Sequence, residues 1–120
     1  MTSIKSYSCI IVEDEVHHQE LLSFYLKKLG NIRLLGMYAD TVNASIQIEK
    51  KKPDLIFLDI NISGLEGPEF IELLEYQPKI IMISAHSEEF MNNHYQIPYL
   101  AYVQKPISLD KLQDAIALLE

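Results

Sequence analysis

Cysteine, arginine and long apolar segments are scarce in this chain of 120 residues. The single cysteine, Cys9, excludes an intramolecular disulfide and any zinc site with two or more cysteine ligands. No apolar run approaches the roughly 20 residues that span a bilayer, and the segment before Tyr7 lacks the apolar core of a signal peptide. These absences favour a cytoplasmic protein without a membrane segment, and the length favours a single domain.

Basic residues are in the minority. The 10 lysines and arginines face 17 aspartates and glutamates, which gives a formal net charge of −7. Proteins that bind nucleic acid rely on basic side chains to neutralise phosphates, so we expect no direct contact between this domain and nucleic acid. The hydrophobic fraction of 48% favours a packed core over disorder.

Short apolar runs alternate with segments of helical periodicity along the chain. The predicted strands cover residues 7–12, 32–39, 55–58, 80–83 and 99–103, and the predicted helices cover residues 16–29, 41–51, 68–74, 87–95 and 109–119. Gly30 fits the end of the first helix, and Thr41 and Ser108 are placed to cap two later helices. Five such units favour an α/β fold, in which helices cover both faces of a parallel sheet.

Chemically active side chains follow four of the five predicted strands. They are Glu13-Asp14-Glu15 after the first strand, Asp59 after the third, Ser84 after the fourth and Lys105-Pro106 after the fifth. Parallel sheets bind ligands beyond the carboxyl ends of their strands, so these side chains are expected to share one edge.

This set of side chains has the chemistry of a phosphate-handling site. Converging carboxylates repel one another unless a cation lies among them, and Mg²⁺ typically takes one or two carboxylates together with waters and a phosphate oxygen. A lysine neutralises phosphoryl oxygens, and one carboxylate can act as the nucleophile. Each acid alone has a plainer interpretation, as a charge at a helix N-terminus or as a turn residue. The combination across four strand ends carries the prediction.

Four motifs of this chain resemble the receiver domains of two-component response regulators. The motifs are Ile11-Val12-Glu13-Asp14-Glu15, Leu58-Asp59-Ile60 followed by Gly67, Ile83-Ser84-Ala85, and Tyr102-Val103-Gln104-Lys105-Pro106. The resemblance covers essentially the whole chain. It implies a single receiver domain over residues 1–120, built as a flavodoxin-like, doubly wound, five-stranded parallel sheet with strand order 2-1-3-4-5.

The resemblance implies a phosphoacceptor and a metal site. Asp59 is similar to the aspartate that takes a phosphoryl group from a sensor histidine kinase or a phosphotransfer protein. Glu13, Asp14, Asp59 and the backbone carbonyl of Asn61 resemble the ligands of Mg²⁺ or Mn²⁺ in this family.

Further roles are implied for residues of the last two strand ends. Lys105 resembles the phosphate-binding lysine, and its bond to Pro106 is expected to be cis. Ser84 is similar to the hydroxyl that moves toward the phosphoryl group, and Tyr102 to the aromatic switch that then rotates inward. The implied protein is a switch that assists its own phosphorylation and dephosphorylation rather than a turnover enzyme. A homodimer through helix 4, strand 5 and helix 5 is also implied.

Two alternatives stay open. The domain could be a degenerate receiver, a protein-binding module without phosphorylation, although such a receiver normally lacks an acid or the lysine that this chain retains. The output is also open, because a DNA-binding effector could follow Glu120. An aspartyl phosphatase is disfavoured because Asn61 stands where a second aspartate is usual, and a flavodoxin because Glu13-Asp14-Glu15 would repel a bound phosphate.

Some positions depart from the family pattern or have no assigned role. Ser63 replaces a usual proline, and the loop from Gly64 to Gly67 resembles those of LytTR-type regulators. His86 occupies a position that tunes the phosphoryl lifetime, although an exposed loop residue is an equal interpretation. The adjacent His17-His18 pair is interpreted as solvated helix residues rather than a metal site.

Overall fold

The computed structural model describes residues 5–59, 67–94 and 98–119. Strands and helices alternate in the order β1 (Tyr7–Val12), α1 (Val16–Leu29), β2 (Ile32–Tyr38), α2 (Thr41–Lys51), β3 (Leu55–Asp59), α3 (Gly67–Leu73), β4 (Lys79–Ser84), α4 (Glu88–His94), β5 (Ala101–Gln104) and α5 (Leu109–Ala117). The alternation predicted from the sequence is therefore confirmed, with element ends that differ by one to three residues. Among the described residues, no helix has the length and apolar character needed to cross a membrane.

The five strands form one parallel sheet in the order β2-β1-β3-β4-β5. This confirms the strand order that the resemblance implied. Every residue of β1 and β3 is buried, because helices cover both faces of these inner strands. The fifth strand begins two residues later than predicted, since its ladder with β4 starts at the pair Ile81 and Ala101.

Two hydrophobic cores lie on opposite faces of the sheet. Alternate strand residues such as Ile10 and Leu58 belong to one core, which α2, α3 and α4 cover, and Cys9 and Phe57 belong to the other, which α1 and α5 cover. Cys9 is fully buried, which confirms its interpretation as a core residue. The doubly wound packing leaves the carboxyl ends of the strands as the place where polar side chains gather.

Helix ends follow local hydrogen bonding. Gly30 ends α1 in the left-handed region at φ 76°, where its N–H reaches the carbonyl of Leu26. Ser108 caps α5 by accepting from the N–H of Lys111, as predicted. The prediction for Thr41 is wrong, because Asp40 is the capping residue: it is extended (φ −143°, ψ 160°) and its carboxylate accepts from the N–H of Asn43.

Candidate functional site

Three carboxylates meet at the carboxyl ends of β1 and β3. Glu13 and Asp14 directly follow β1, and Asp59 is the last residue of β3, which lies beside β1 in the sheet. One oxygen from each carboxylate lies within 4.8 Å of the other two. Glu13 and Asp59 are buried, at 4% and 5% exposure, whereas Asp14 is exposed. Strand adjacency therefore produces the clustering that the sequence predicted.

Lys105 completes this group, which we call the acidic pocket (Glu13, Asp14, Asp59 and Lys105). Its Nζ lies 3.1 Å from Oε1 of Glu13 and 3.2 Å from Oδ2 of Asp59. The backbone N–H of Lys105 donates to the carbonyl of Ser84 at 2.7 Å, which fixes the lysine to the end of β4. The peptide bond between Lys105 and Pro106 is cis. One ammonium thus bridges the two buried carboxylates.

The charges of the pocket alter its protonation. Burial raises the pKa of Glu13 to about 8, and the hydrogen bond and negative charge of Asp59 raise it further, against the opposing N–H of Glu15 and the ammonium of Lys105. Burial acts to lower the pKa of Lys105, but the carboxylates of Asp59 and Glu13 outweigh this and raise it. Two buried acids next to each other are therefore under-compensated by a single lysine.

The residues of the pocket fit a divalent cation. Clustered carboxylate oxygens, one set of them exposed to solvent at Asp14, are the ligands that Mg²⁺ and Mn²⁺ prefer. The elevated pKa of Glu13 shows that positive charge is in short supply at this position. The fourth predicted ligand, the carbonyl of Asn61, lies outside the described residues.

Glu13 is held in place by the start of α1. Its Oε2 accepts from the N–H of Glu15 at 3.2 Å, and its backbone carbonyl accepts from Nε2 of Gln19 at 2.6 Å. Nδ1 of His18 lies 3.1 Å from its Oε1. Interpreting His18 as a solvated helix residue was wrong, because the ring contacts the pocket. Its spacing was the available signal: the third residue of a helix that begins right after a strand end lies close to that strand end.

A polar and aromatic group lies beside the pocket at the ends of β4 and β5. Ser84 is fully buried and its Oγ accepts from the N–H of His86 at 3.0 Å. The hydroxyl of Tyr102 donates to the carbonyl of His86, and the His86 ring stacks on Phe90 with centroids 4.2 Å apart. Burial raises the pKa of the Tyr102 hydroxyl, against a hydrogen bond with Ser84. Ser84 and Tyr102 are thereby linked through one loop, as a coupled pair requires.

Comparison with known proteins decides the family. The model of the response regulator receiver domain matches residues 9–117. This chain belongs to the response regulator receiver domain family. An uncharacterized response regulatory protein from Shewanella oneidensis is 32% identical over 91% of this chain and 47% of its own length. The transcriptional regulatory protein BtsR from Escherichia coli is 29% identical over 92% of this chain and 46% of its own length.

Solved receiver structures have the same fold. The response regulatory domain of protein mrkE from Klebsiella pneumoniae superposes with a TM-score of 0.78 at 27% identity and covers 92% of each chain. The receiver domain of the putative response regulator NarL from Mycobacterium tuberculosis gives a TM-score of 0.83 over 95% of each chain, and at 19% identity it shows the fold alone. The present chain spans about half the length of the curated relatives it matches.

Membership fixes the general biochemistry of this receiver domain. Receiver domains belong to two-component signalling, where histidine kinases or phosphotransfer proteins phosphorylate them. They bind Mg²⁺ at an acidic pocket, and they are switches rather than conventional enzymes. The assignment to LytTR-type regulators and the absence of direct nucleic-acid contact stay predictions.

Proposed function

We propose that this receiver domain accepts a phosphoryl group on Asp59, with Mg²⁺ or Mn²⁺ held by Glu13, Asp14, Asp59 and the carbonyl of Asn61. The observation that carries the proposal is the position of Lys105, whose ammonium bridges Glu13 and Asp59 at 3.1 and 3.2 Å. Asp59 is the buried acid in contact with the lysine at the end of the central strand. Its carboxylate is therefore the nucleophile in this proposal.

The transfer step exchanges one bond to phosphorus for another. A carboxylate oxygen of Asp59 attacks the phosphorus of a phosphohistidine, the new O–P bond forms, and the N–P bond breaks with its electron pair returning to the imidazole nitrogen. The ammonium of Lys105 neutralises charge on the transferred oxygens. A bound divalent cation supplies further neutralisation of the phosphoryl oxygens. The same groups can orient a water for the reverse hydrolysis, by which the domain assists its own dephosphorylation.

The response to phosphorylation runs through Ser84 and Tyr102. A phosphoryl group adds acceptor oxygens beside the buried Ser84 hydroxyl, which now accepts from His86. Movement of Ser84 toward those oxygens disturbs the loop that also binds the Tyr102 hydroxyl. Rotation of Tyr102 then shifts the equilibrium between two arrangements of α4 and β5.

The surface that responds is proposed to bind a second copy of the domain. A groove of about 450 Å³ lies between α4, β5 and α5, and the half-exposed Tyr99 and exposed Leu118 contribute to it. Sedimentation with and without acetyl phosphate tests this dimer. Phosphorylation is expected to raise the dimer fraction, and Leu118→Lys to abolish the rise. A monomer under both conditions would contradict the dimer.

Intact mass tests the phosphoacceptor. The domain is incubated with MgCl₂ and acetyl phosphate, and a gain of one phosphoryl group is expected. Asp59→Asn and chelation of the metal are each expected to abolish the gain. Asp114→Asn, an exposed aspartate on α5, is the matched control and keeps it. A gain that persists in Asp59→Asn would assign the phosphoryl group to another residue, and no gain at any donor concentration would support the degenerate receiver.

A further inference from the structure

His18 lies against the acidic pocket and has no part in the proposed transfer. Its Nδ1 is 3.0 Å from Nζ of Lys105 and 3.1 Å from Oε1 of Glu13. The ring is half-buried, whereas that of its neighbour His17 is exposed. A solvated residue of a helix end has no reason to be ordered between a lysine and a carboxylate, so the contact requires its own explanation.

The donors of Lys105 indicate what His18 does. An ammonium has three N–H donors and no acceptor. Two of its neighbours are the carboxylate oxygens of Glu13 and Asp59, and the third is Nδ1 of His18. Nδ1 can bond the ammonium only as an acceptor, which places the ring proton on Nε2. The opposite tautomer would set two donors face to face at 3.0 Å.

We propose that His18 is a positioning residue, which accepts the third hydrogen bond of Lys105 and so holds the ammonium beside Asp59; this rests on the proposed function of Asp59 as the phosphoacceptor. Glu13 and Asp59 belong to the carboxylate cluster that fits a cation, whereas His18 lies outside that cluster. Two of the three acceptors of Lys105 are therefore shared with the metal site. The third stays with the lysine and restricts its flexible side chain from the rigid start of α1.

A packing role is the competing explanation. The ring lines a small apolar cleft of about 100 Å³ together with Leu21, Leu22 and Ile107. If His18 only filled this cleft, leucine would replace it well and asparagine poorly. If it accepts from Lys105, the order is reversed, because an asparagine amide oxygen can take the place of Nδ1 and leucine has no acceptor.

The kinetic experiment uses this reversal. The rate of phosphoryl gain is measured with acetyl phosphate and MgCl₂ for the unaltered domain, His18→Leu and His18→Asn. His18→Leu is expected to lower the rate by about tenfold, since a hydrogen bond to a charged group is lost, and His18→Asn to retain most of it. His17→Leu and His17→Asn are the matched controls on the adjacent exposed histidine, and both are expected to leave the rate unchanged. An unchanged rate in His18→Leu, or a slower rate in His18→Asn than in His18→Leu, overturns the proposal.

The tautomer provides a second readout that needs no phosphoryl transfer. Long-range ¹H–¹⁵N spectra of the histidine rings are recorded at about pH 8, where imidazole is ordinarily neutral, with and without MgCl₂. The expected signature of His18 is a proton on Nε2 and a lone pair on Nδ1 under both conditions. A proton on Nδ1 overturns the proposal. If the unaltered domain gains no phosphoryl group, the proposed function fails, and the spectra still decide the bond between His18 and Lys105.

Discussion

The hydroxyl of Tyr102 donates to the backbone carbonyl of His86, and this bond ties the edge strand β5 to the loop that follows β4. Tyr102→Phe removes the bond and leaves the ring. We expect the free energy of unfolding to fall by about 1 kcal/mol. We also expect the amide shifts of α4 to respond less to acetyl phosphate and MgCl₂, because the loop no longer transmits its movement to β5.

Tyr76 offers a matched control for this substitution. Its hydroxyl donates to the carbonyl of Pro53 at 2.7 Å, away from the acidic pocket. Tyr76→Phe is expected to destabilise the domain by a similar amount and to leave the response of α4 intact. An equal loss of the response in both variants would show that the bond between Tyr102 and His86 has no specific part in the switch.

Divalent cations are expected to stabilise the domain. The carboxylates of Glu13, Asp14 and Asp59 have one lysine between them, so a bound cation relieves their repulsion. At tenfold excess of MgCl₂ over its dissociation constant, the gain in the free energy of unfolding is about 1.4 kcal/mol. Thermal unfolding in MgCl₂ and in chelator measures this gain.

Asp14→Asn separates the cation effect from general salt effects. It removes one negative charge from the pocket, so the variant is expected to be at least as stable as the unaltered domain in chelator and to gain little from MgCl₂. Asp114→Asn on α5 should keep the full gain. An undiminished gain in Asp14→Asn would place the cation elsewhere.

The cap of α5 contributes to the stability of the chain beyond Lys105. The side chain of Ser108 accepts from the N–H of Lys111 at 3.2 Å. Ser108→Ala is expected to lower the free energy of unfolding by about 1 kcal/mol, as measured by urea denaturation, and Ser108→Asp to keep it. Ser45 lies within α2 and donates to the carbonyl of Val42, so Ser45→Ala is the control and should not destabilise. A loss of equal size in both alanine variants would contradict the capping role.

Cys9 makes stability depend on alkaline pH. Burial raises the pKa of its thiol to about 12 from an ordinary 9.0. Below the ordinary pKa both states keep the proton; above it the unfolded chain loses the proton first, so the stabilisation declines as pH rises toward 12. The loss is about 1.4 kcal/mol per pH unit in that window.

Urea denaturation of the unaltered domain and of Cys9→Ala, at about pH 8 and above about pH 10, isolates this effect. Lysines and tyrosines also titrate there, but they contribute equally to both proteins. Cys9→Ala is expected to lose less stability with rising pH. Parallel losses would contradict a strongly raised thiol pKa.

The fold was predictable because each inner strand is a continuous apolar run. β1 and β3 are buried on both faces, so their sequences carry no alternation that could be confused with a surface strand. The cap of α2 was misplaced by one residue, because Asp40 and Thr41 are both good capping residues and only the backbone conformation of Asp40 distinguishes them.

The site was predictable where it follows directly from strand order, and not where it depends on side-chain direction. Asp59 and Lys105 lie at strand ends, so the parallel sheet brings them together whatever the loops do. His18 lies on α1, and only the angle of that helix relative to β1 directs its ring toward Lys105. Two adjacent histidines in a sequence therefore gave no indication that one is exposed and the other contacts the pocket.

The order of the strands also governs how far a disturbance can travel at low cost. Asp59 ends β3, which has a hydrogen-bonded neighbour on each side, whereas β5 is paired only with β4. Amide protons of β3 should therefore exchange with solvent only on global unfolding, and those of β5 through smaller local openings. Chemistry at the most protected strand is thus answered at the sheet margin, where the chain can shift without loosening the interior.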